Sequence, residues 1–328
     1  MFSERLKIKI NRGLRRILAA PRLHRLDTHP MPRRKPGEVW LFLICRNEAL
    51  RLPYMLKYHF DAGISRVILL DNGSTDATLD LIRDDSRIHV FQTRQNFAGN
   101  KVVWQEILLR RYGAGHWNLL LDADELFVYP GMDTLPLSAF VQRLEAEGAA
   151  AIHSIFIEMF PKEPLGQIAY RPESPLTDAA PWFDAAGYVR KKYHAVFSGA
   201  APTHILMGGT RERIFGGEFG CSKYPLFKYR PGQFFRLGLH TVEGAKLSAG
   251  QAAILHFKYL QDFHAKVLRE SQRNVYWNAA AEYKAYAARF AKEGDFSLWH
   301  PGAQKFTSWR TLRDLDLIRP PAAPSLAP

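Results

Sequence analysis

The sequence reads Trp117-Asn-Leu-Leu-Leu-Asp122-Ala-Asp-Glu125 over nine residues, an apolar run followed directly by three carboxylates. A short apolar run bounded by charge is typical of a buried strand. In an extended continuation of that strand, Asp122 and Asp124 project to the same side. Two carboxylates this close repel each other unless a cation such as Mg²⁺ or Mn²⁺ lies between them. The stretch therefore predicts a strand that ends at a metal site; the alternative is an exposed acidic turn that caps a following helix.

Strands and helices alternate on both sides of this stretch. The apolar periodicity predicts strands over 38–45, 65–70, 88–92, 117–121, 150–157 and 254–259. It predicts helices over 50–62, 77–83, 101–112, 137–147, 262–274 and 277–292. This alternation is typical of βαβ units. The predicted fold class is α/β, a Rossmann-like, mostly parallel sheet flanked by helices, with an irregular region after residue 160 and C-terminal helices.

Three polar clusters follow predicted strands of this sheet, at 46–48, 71–76 and 122–125. Parallel strands joined by helices bring their following loops to one edge of the sheet, where ligands of open α/β folds bind. The clusters are therefore expected to converge on a single binding site.

Composition narrows the class of protein. The 328 residues include 47% hydrophobic and 23% charged residues, typical of a soluble globular chain, and the net charge of +13 indicates an anionic partner. Two cysteines, Cys45 and Cys221, are too few for a disulfide scaffold or a cysteine-built zinc site, which favours a reducing, cytoplasmic setting. No apolar run approaches the roughly 18 residues of a membrane span.

Much of the charge lies in residues 1–37, where eleven basic and two acidic residues give a local net charge of +9. Apolar residues alternate with these charges, which predicts either a basic amphipathic segment on an anionic membrane surface or a disordered tail. A nucleic-acid partner is disfavoured because the rest of the chain shows no recognisable nucleic-acid-binding module. The predicted organisation is this leader, an α/β half over 38–160, an irregular and C-terminal part of the same domain over 161–320, and a disordered tail over 321–328.

Several motifs together give the sequence a specific resemblance. Besides Arg46-Asn-Glu48, Asp71-Asn-Gly-Ser-Thr-Asp76 and Asp122-Ala-Asp-Glu125, it contains Gly208-Gly-Thr-Arg-Glu-Arg-Ile-Phe-Gly216 and His256-Phe-Lys-Tyr259. In this combination the chain resembles family-2 glycosyltransferases with the GT-A fold, and more narrowly the bacterial family 2-like branch. The resemblance covers roughly residues 38–320.

The resemblance implies a nucleotide-sugar donor and a Mn²⁺ or Mg²⁺ ion. Asp71 is expected near the base or ribose of the donor, and the acidic motif near its diphosphate. The implied metal ligands are Asp122, Asp124 and His256. The resemblance, together with charge and position, gives a set of residues expected to bind the donor: Arg46, Glu48, Asp71, Asn72, Ser74, Asp76, Asp122, Arg211, Arg213 and Lys258. Arginine pairs suit a departing diphosphate, while a solvated basic face is the alternative for Arg211 and Arg213.

An inverting sugar transfer needs a carboxylate that accepts the proton of the acceptor hydroxyl. Glu125, Glu158 and Asp184 are the candidates, and the sequence does not choose among them; a retaining enzyme could lack such a base. His240 is either a contact to acceptor or phosphate or a buried histidine bonded to backbone.

The predicted function is transfer of a sugar, hexosyltransferase-like, to a glycan or lipid-linked acceptor of a cell-surface polysaccharide. The enzyme is expected in the cytoplasm, peripheral on the inner face of the membrane. One alternative is an inactive basic adaptor that binds membrane or nucleic acid. Another is a nucleotidyltransferase, which is disfavoured because residues 46–50 lack a Gly-rich basic phosphate loop.

Overall fold

The computed structural model describes residues 4–193, 203–216, 219–236, 240–273 and 277–322, and its main element is a ten-stranded sheet. The strands are β1 (His24–Arg25), β2 (Trp40–Cys45), β3 (Arg66–Asp71), β4 (Ile88–Gln92), β5 (Trp117–Leu121), β6 (Glu125–Val128), β7 (Ala151–Glu158), β8 (Trp182–Phe183), β9 (Tyr188–Tyr193), β10 (Thr203–Gly208), β11 (Ser222–Lys223), β12 (Leu226–Lys228), β13 (Phe234–Arg236), β14 (Thr241–Glu243), β15 (Leu247–His256) and β16 (Gln304–Lys305). The helices are α1 (Glu4–Ala19), α2 (Leu52–Asp61), α3 (Lys101–Leu108), α4 (Leu137–Ala146), α5 (Leu176–Ala179), α6 (Gly209–Phe215), α7 (Phe263–Arg273), α8 (Trp277–Glu293) and α9 (Trp309–Asp314).

The first half of the sheet is parallel. Strand β2 pairs in parallel with β3 on one side and with β5 on the other, and β4 lies beyond β3. The chain therefore moves outward from β2 to β4 and then returns to the opposite side of β2. This reversal creates a switch point between β2 and β5, where a crevice opens at the carboxyl ends of the strands.

The second half of the sheet is mixed. Strand β12 lies antiparallel between β5 and β7, β15 is parallel to β7, and β6 is antiparallel to β15. In this register His256, at the end of β15, is paired with Glu158 on one side and Glu125 on the other. The predicted α/β class is confirmed: the sheet is mixed, with its antiparallel strands at the β1 edge and in the second half.

Helices cover both faces of the sheet because its central strands are apolar on both sides. Along β2, Leu41 and Leu43 belong to the apolar cluster that includes residues of α2, α4, α7 and α8. Trp40 and Phe42 point to the other face, into the cluster that includes residues of α3. The alternation follows the two-residue period of a strand. Such two-sided burial explains why β2 reads as a continuous apolar run.

Several elements differ from the predicted ones. The predicted helix over 77–83 contains only a 3-10 turn at Asp80–Ile82, because Asp76 and Thr78 bond each other and the backbone nearby instead of joining a helix. Helix α3 ends at Leu108 and continues as a π-helical segment, Leu109–Gly113. Strand β6 was not predicted, and of the predicted strand over 254–259 only residues 254–256 are strand, as the end of β15. Asn274, the last residue of one predicted helix, lies outside the described residues.

The N-terminal segment adopts regular structure where it is described. It forms α1 and a 3-10 turn at Ala20–Arg22, and β1 then pairs antiparallel with β4 at the edge of the sheet. Of the tail predicted over 321–328, residues 323–328 lie outside the described part. Among the described residues, none of the helices is long and apolar enough to cross a membrane.

Candidate active site at the switch point of the sheet

A cavity of about 490 Å³ lies at the carboxyl ends of β2 and β5. Residues from all three predicted polar clusters line it, which confirms their expected convergence. Its lining residues are Ile44, Cys45, Arg46, Asn47, Glu48, Asn72, Thr75, Phe97, Lys101, Asp122, Ala123, Asp124, His256, Lys258, Lys266, Arg269, Glu270 and Tyr283. We call this space the switch-point cavity.

Asp122 faces the switch-point cavity between two lysines. Its Oδ1 lies 2.6 Å from Lys101 Nζ, and its Oδ2 lies 3.6 Å from Lys223 Nζ. Burial alone would raise the pKa of Asp122, but the two ammonium groups hold it below its ordinary value. Asp122 is therefore a charged carboxylate whose neighbours are cationic.

Asp124 belongs to a chain of three side chains. His256 Nε2 lies 3.1 Å from Asp124 Oδ2, and His256 Nδ1 lies 2.6 Å from Glu158 Oε2. Burial alone would lower the pKa of His256, but the carboxylates of Glu158 and Asp124 raise it to about 9. Burial would likewise raise the pKa of Asp124, yet the His256 charge keeps it well below its ordinary value. The structure thus brings two carboxylates to the two nitrogens of one imidazole.

In this row of three side chains, Asp124 and His256 have the chemistry needed to hold a divalent cation. Imidazole nitrogen and carboxylate oxygen are both ligand types for divalent metals, and here His256 Nε2 and Asp124 Oδ2 lie 3.1 Å apart as a hydrogen-bonded pair. Histidine ligands of metals typically donate their second ring N–H to a carboxylate, which is the position of Glu158. Across the residues that the structure describes, no group of three or more His, Cys, Asp or Glu side chains is already gathered as a metal cage.

Glu125 and Glu158, two of the predicted bases, do not line the switch-point cavity. Glu125 accepts a hydrogen bond from the Asp122 backbone N–H at 3.1 Å and pairs with Lys223. Glu158 is bonded to His256, and its Oε1 lies 2.6 Å from Arg211 Nε. Both carboxylates therefore hold other site residues in place.

The third predicted base, Asp184, lies at a second cavity of about 470 Å³. Its Oδ2 accepts a hydrogen bond from Arg213 Nε at 2.9 Å, and its Oδ1 lies 2.6 Å from His300 Nε2. We call this space the Asp184 cavity. The arginines predicted to bind diphosphate are thus separated, with Arg213 at the Asp184 cavity and Arg211 paired with Glu158.

The acidic loop at 71–76 supports the switch-point cavity more than it lines it. Asp71 is fully buried and accepts hydrogen bonds from Gly73 N, Ser74 N and Gln92 Nε2. Ser74 Oγ accepts a bond from Asn47 N at 2.9 Å, and Asp76 accepts one from Ala49 N at 3.2 Å.

Of the six residues of this loop, Asn72 and Thr75 line the cavity. Asp71, expected near the base or ribose, is not among the lining residues. Its oxygens instead fix the turn that positions its neighbours.

Helices α7 and α8 contribute residues that sequence reasoning missed. Lys266, Arg269 and Glu270 of α7 line the switch-point cavity, and Lys266 Nζ lies 3.2 Å from Glu48 Oε1. Their spacing of three and four residues places them on one helix face, and this pattern was available in the sequence. Lys101 was also missed, because its role depends on the distant Asp122.

The remaining predicted basic residues have separate positions. Lys258 lines the cavity and lies 2.6 Å from Glu282 Oε1. His240 Nδ1 lies 2.6 Å from the carbonyl oxygen of Ser222, and burial lowers the pKa of His240 to about 4. Of the two interpretations of His240, its contact therefore agrees with the buried histidine bonded to the backbone.

Comparisons with known proteins give similarity over parts of the chain. No protein-family model and no curated protein matches the sequence. Two similar solved structures are a mannosyltransferase from Pyrobaculum calidifontis in complex with GDP-mannose and Mn²⁺ and a glucosyl-3-phosphoglycerate synthase from Mycobacterium tuberculosis with Mn²⁺ and UDP. The first is 21% identical, with 44% of this chain and 43% of that chain covered and a TM-score of 0.29. The second is 19% identical, with 40% and 52% covered and a TM-score of 0.27.

A UDP-glucose pyrophosphorylase from Acinetobacter baumannii overlaps more of the chain at lower identity. It is 11% identical, with 85% of this chain and 91% of that chain covered and a TM-score of 0.28. The chain spans about half the length of the two transferases it matches. Overlaps of this quality do not assign the protein to a family.

Proposed function

We propose that the protein is a GT-A-type glycosyltransferase that moves a sugar from a nucleotide-sugar donor with the help of Mn²⁺ or Mg²⁺. The observation that carries the proposal is the row of three linked side chains, Asp124, His256 and Glu158, at the switch point. His256 Nε2 lies 3.1 Å from Asp124, and His256 Nδ1 lies 2.6 Å from Glu158. This row joins two metal-ligand side chains to a carboxylate that orients the histidine.

The metal, when bound, supplies positive charge that stabilises the departing diphosphate. Asp124 and His256 are the residues that would hold it. Glu158 fixes the orientation of the His256 ring through Nδ1, which leaves Nε2 directed at Asp124. Asp122 stands beside them as a further carboxylate on the cavity wall.

Basic residues around the same cavity suit the phosphates of the donor. Arg46, Lys101, Lys266 and Arg269 all line it. Charge-assisted hydrogen bonds from such groups are stronger than neutral ones and are well suited to phosphate oxygens. In this proposal they replace Arg211 and Arg213 as the diphosphate-binding groups, because Arg211 is paired with Glu158 and does not line the cavity, and Arg213 lies at the Asp184 cavity.

The position of the general base follows from which carboxylates line a cavity. In the proposal, Glu125 and Glu158 are positioning residues, since neither lines the switch-point cavity and each contacts another site residue, Lys223 or His256. Glu48 and Glu270 line the switch-point cavity, and burial raises the pKa of Glu48. They are the proposed bases for an inverting transfer. Asp184 remains a proposed base only if the acceptor occupies its own cavity.

The proposed acceptor is a glycan or lipid-linked glycan of a cell-surface polysaccharide. The proposed location is the cytoplasmic face of the membrane, where such acceptors are exposed. The supporting observations are the +9 charge of residues 1–37 and the helical, amphipathic character of α1.

The test is hydrolysis of a panel of nucleotide sugars by the purified protein with and without Mn²⁺. The wild type is compared with Asp124→Ala and with Asp80→Asn, a control at an exposed carboxylate that pairs with Arg83. We expect metal-dependent turnover of one donor, loss in Asp124→Ala, and wild-type rates in the control. If hydrolysis is undetectable, nucleotide binding is measured directly; no metal-dependent binding of any nucleotide would contradict the proposal and favour the inactive adaptor.

A further inference from the structure

Helix α1 is amphipathic, but it is oriented with its polar side toward the protein. Arg12 Nη1 lies 3.1 Å from Glu106 Oε1, and Arg16 pairs with the other oxygen of the same buried carboxylate. Arg15 donates to the Gly99 carbonyl and, at 2.9 Å, to Asn100 Oδ1. Three of the basic residues that suggested membrane attraction are therefore used to fasten the helix to α3 and the loop before it.

The opposite side of α1 carries an exposed apolar stripe. Ile10, Leu14, Ile17 and Leu18 are 53%, 58%, 70% and 68% exposed. Their spacing of four, three and one residues places them on one face of the helix. Isolated exposed apolar residues are common, whereas a contiguous stripe of this kind marks an interaction surface.

The segment of chain that carries the stripe is rich in basic residues. Arg22 lies just beyond the helix, and Arg110 and Arg111 continue the α3 segment that holds Glu106; all three are exposed. Glu4 is the single acidic residue in the sequence of α1, which also includes Arg5, Lys7 and Lys9. Two copies of the chain meeting through this face would bring like charges together, which opposes association. Anionic lipid headgroups instead offer complementary charge around an apolar interior.

We propose that the stripe formed by Ile10, Leu14, Ile17 and Leu18 inserts into the surface of an anionic lipid bilayer while the arginines on the other side of α1 keep the helix attached to the protein. The inference rests on the membrane location in the proposed function but not on the transferase activity. Insertion of apolar side chains, rather than charge alone, then supplies the binding energy.

The same contacts place the membrane-facing helix next to the switch-point cavity. Arg15 holds Gly99 and Asn100, and the next residue, Lys101, lies 2.6 Å from Asp122. Phe97, two residues before Gly99, also lines the cavity. A bilayer bound by α1 would therefore lie on the side of the protein where α3 reaches the cavity, which suits an acceptor presented at a lipid surface.

The experiment is co-flotation of the full chain with vesicles of phosphatidylcholine alone or mixed with phosphatidylglycerol. The test variant is Ile17→Ser/Leu18→Ser, and the matched control is Leu81→Ser, an apolar residue 49% exposed in another part of the chain. We expect binding to the anionic vesicles, at least about tenfold weaker binding of the test variant, and unchanged binding of the control. Thermal unfolding and nucleotide binding of both variants should match the wild type, because the substituted side chains are exposed.

Two results would overturn the inference. One is equal flotation of wild type and Ile17→Ser/Leu18→Ser, or no flotation of the wild type, while donor turnover stays normal; the transferase proposal would then stand without it. The other is a lipid-free wild-type dimer that the double substitution converts to a monomer, measured by light scattering. That result would assign the stripe to a second copy of the chain.

Discussion

The two cavities contain the same kinds of side chain in opposite arrangements. At the switch-point cavity, one imidazole lies between two carboxylates, Asp124 and Glu158. At the Asp184 cavity, one carboxylate lies between Arg213 and His300. In the first arrangement, a bound cation could be shared by the imidazole and a carboxylate. In the second, the one carboxylate already has two partners, Arg213 and His300. We therefore place the proposed metal at the imidazole that has two carboxylate partners, and not at the Asp184 cavity.

The largest expected effect separates the two cavities directly. Asp124→Asn removes a proposed metal ligand and should weaken Mn²⁺-dependent binding of uridine or guanosine diphosphate by at least about a hundredfold. Asp184→Asn should leave this binding unchanged. Titration calorimetry with and without Mn²⁺ measures both, and equal losses in the two variants would remove the distinction between the cavities.

Asp184→Asn should act on stability instead. Removing one charge from a largely buried ion pair leaves its partners uncompensated, but Arg213 and His300 are each about one third exposed. We therefore expect a loss of about 2 kcal/mol in the free energy of unfolding, less than the roughly 3–5 kcal/mol expected when a fully buried pair is broken. Urea unfolding measures it, and an unchanged midpoint would show that the cluster is not structural.

Glu158→Gln tests the role of the carboxylate behind His256. Gln keeps a hydrogen-bond acceptor but loses the charge, so Mn²⁺ affinity should fall by about tenfold, the lower end of such effects. Glu282→Gln is the control. Glu282 pairs with Lys258 and lies 3.6 Å from Arg211, the arginine that also pairs with Glu158, but it does not contact His256. Electron paramagnetic resonance counts the unbound Mn²⁺; wild-type affinity in Glu158→Gln would contradict the positioning role.

The smallest expected effect concerns the lysines around Asp122. Lys101→Met should weaken nucleoside diphosphate binding by about fivefold, because a partly exposed charge contributes roughly 1 kcal/mol. Lys223→Met should lower stability more than binding, because it leaves the buried Glu125 without its cation. Calorimetry and urea unfolding of both variants separate the two outcomes, and the reverse pattern would exchange the assigned roles.

The parallel half of the fold was largely predictable from sequence. Strands β4 and β5 have the predicted bounds, and β2 and β3 differ by one or two residues at their ends. Apolar runs bounded by turn residues are local signals, and the carboxyl-edge rule then brings the loops together without further information. For this reason Arg46, Glu48 and Asp124 were correctly expected to share one cavity.

The second half depended on pairings between residues far apart in the chain. Glu158 was predicted as a base because the sequence does not show that β15 pairs with β7. This pairing places His256 opposite Glu158, although the two residues are 98 positions apart in the sequence. Asp71 was expected to contact the donor, but its carboxylate oxygens accept hydrogen bonds from the backbone N–H groups of Gly73 and Ser74 in the same turn. The helix over 77–83 failed for the same reason, since Asp76 and Thr78 bond locally.

The most direct test of the metal assignment is a crystal structure of the wild type with Mn²⁺ and a nucleoside diphosphate, with anomalous data at the manganese edge. We predict an anomalous peak bonded to Asp124 and His256 Nε2, with Glu158 still bonded to His256 Nδ1. A peak at the Asp184 cavity, or a nucleotide bound at the switch point with no peak beside Asp124, would contradict it.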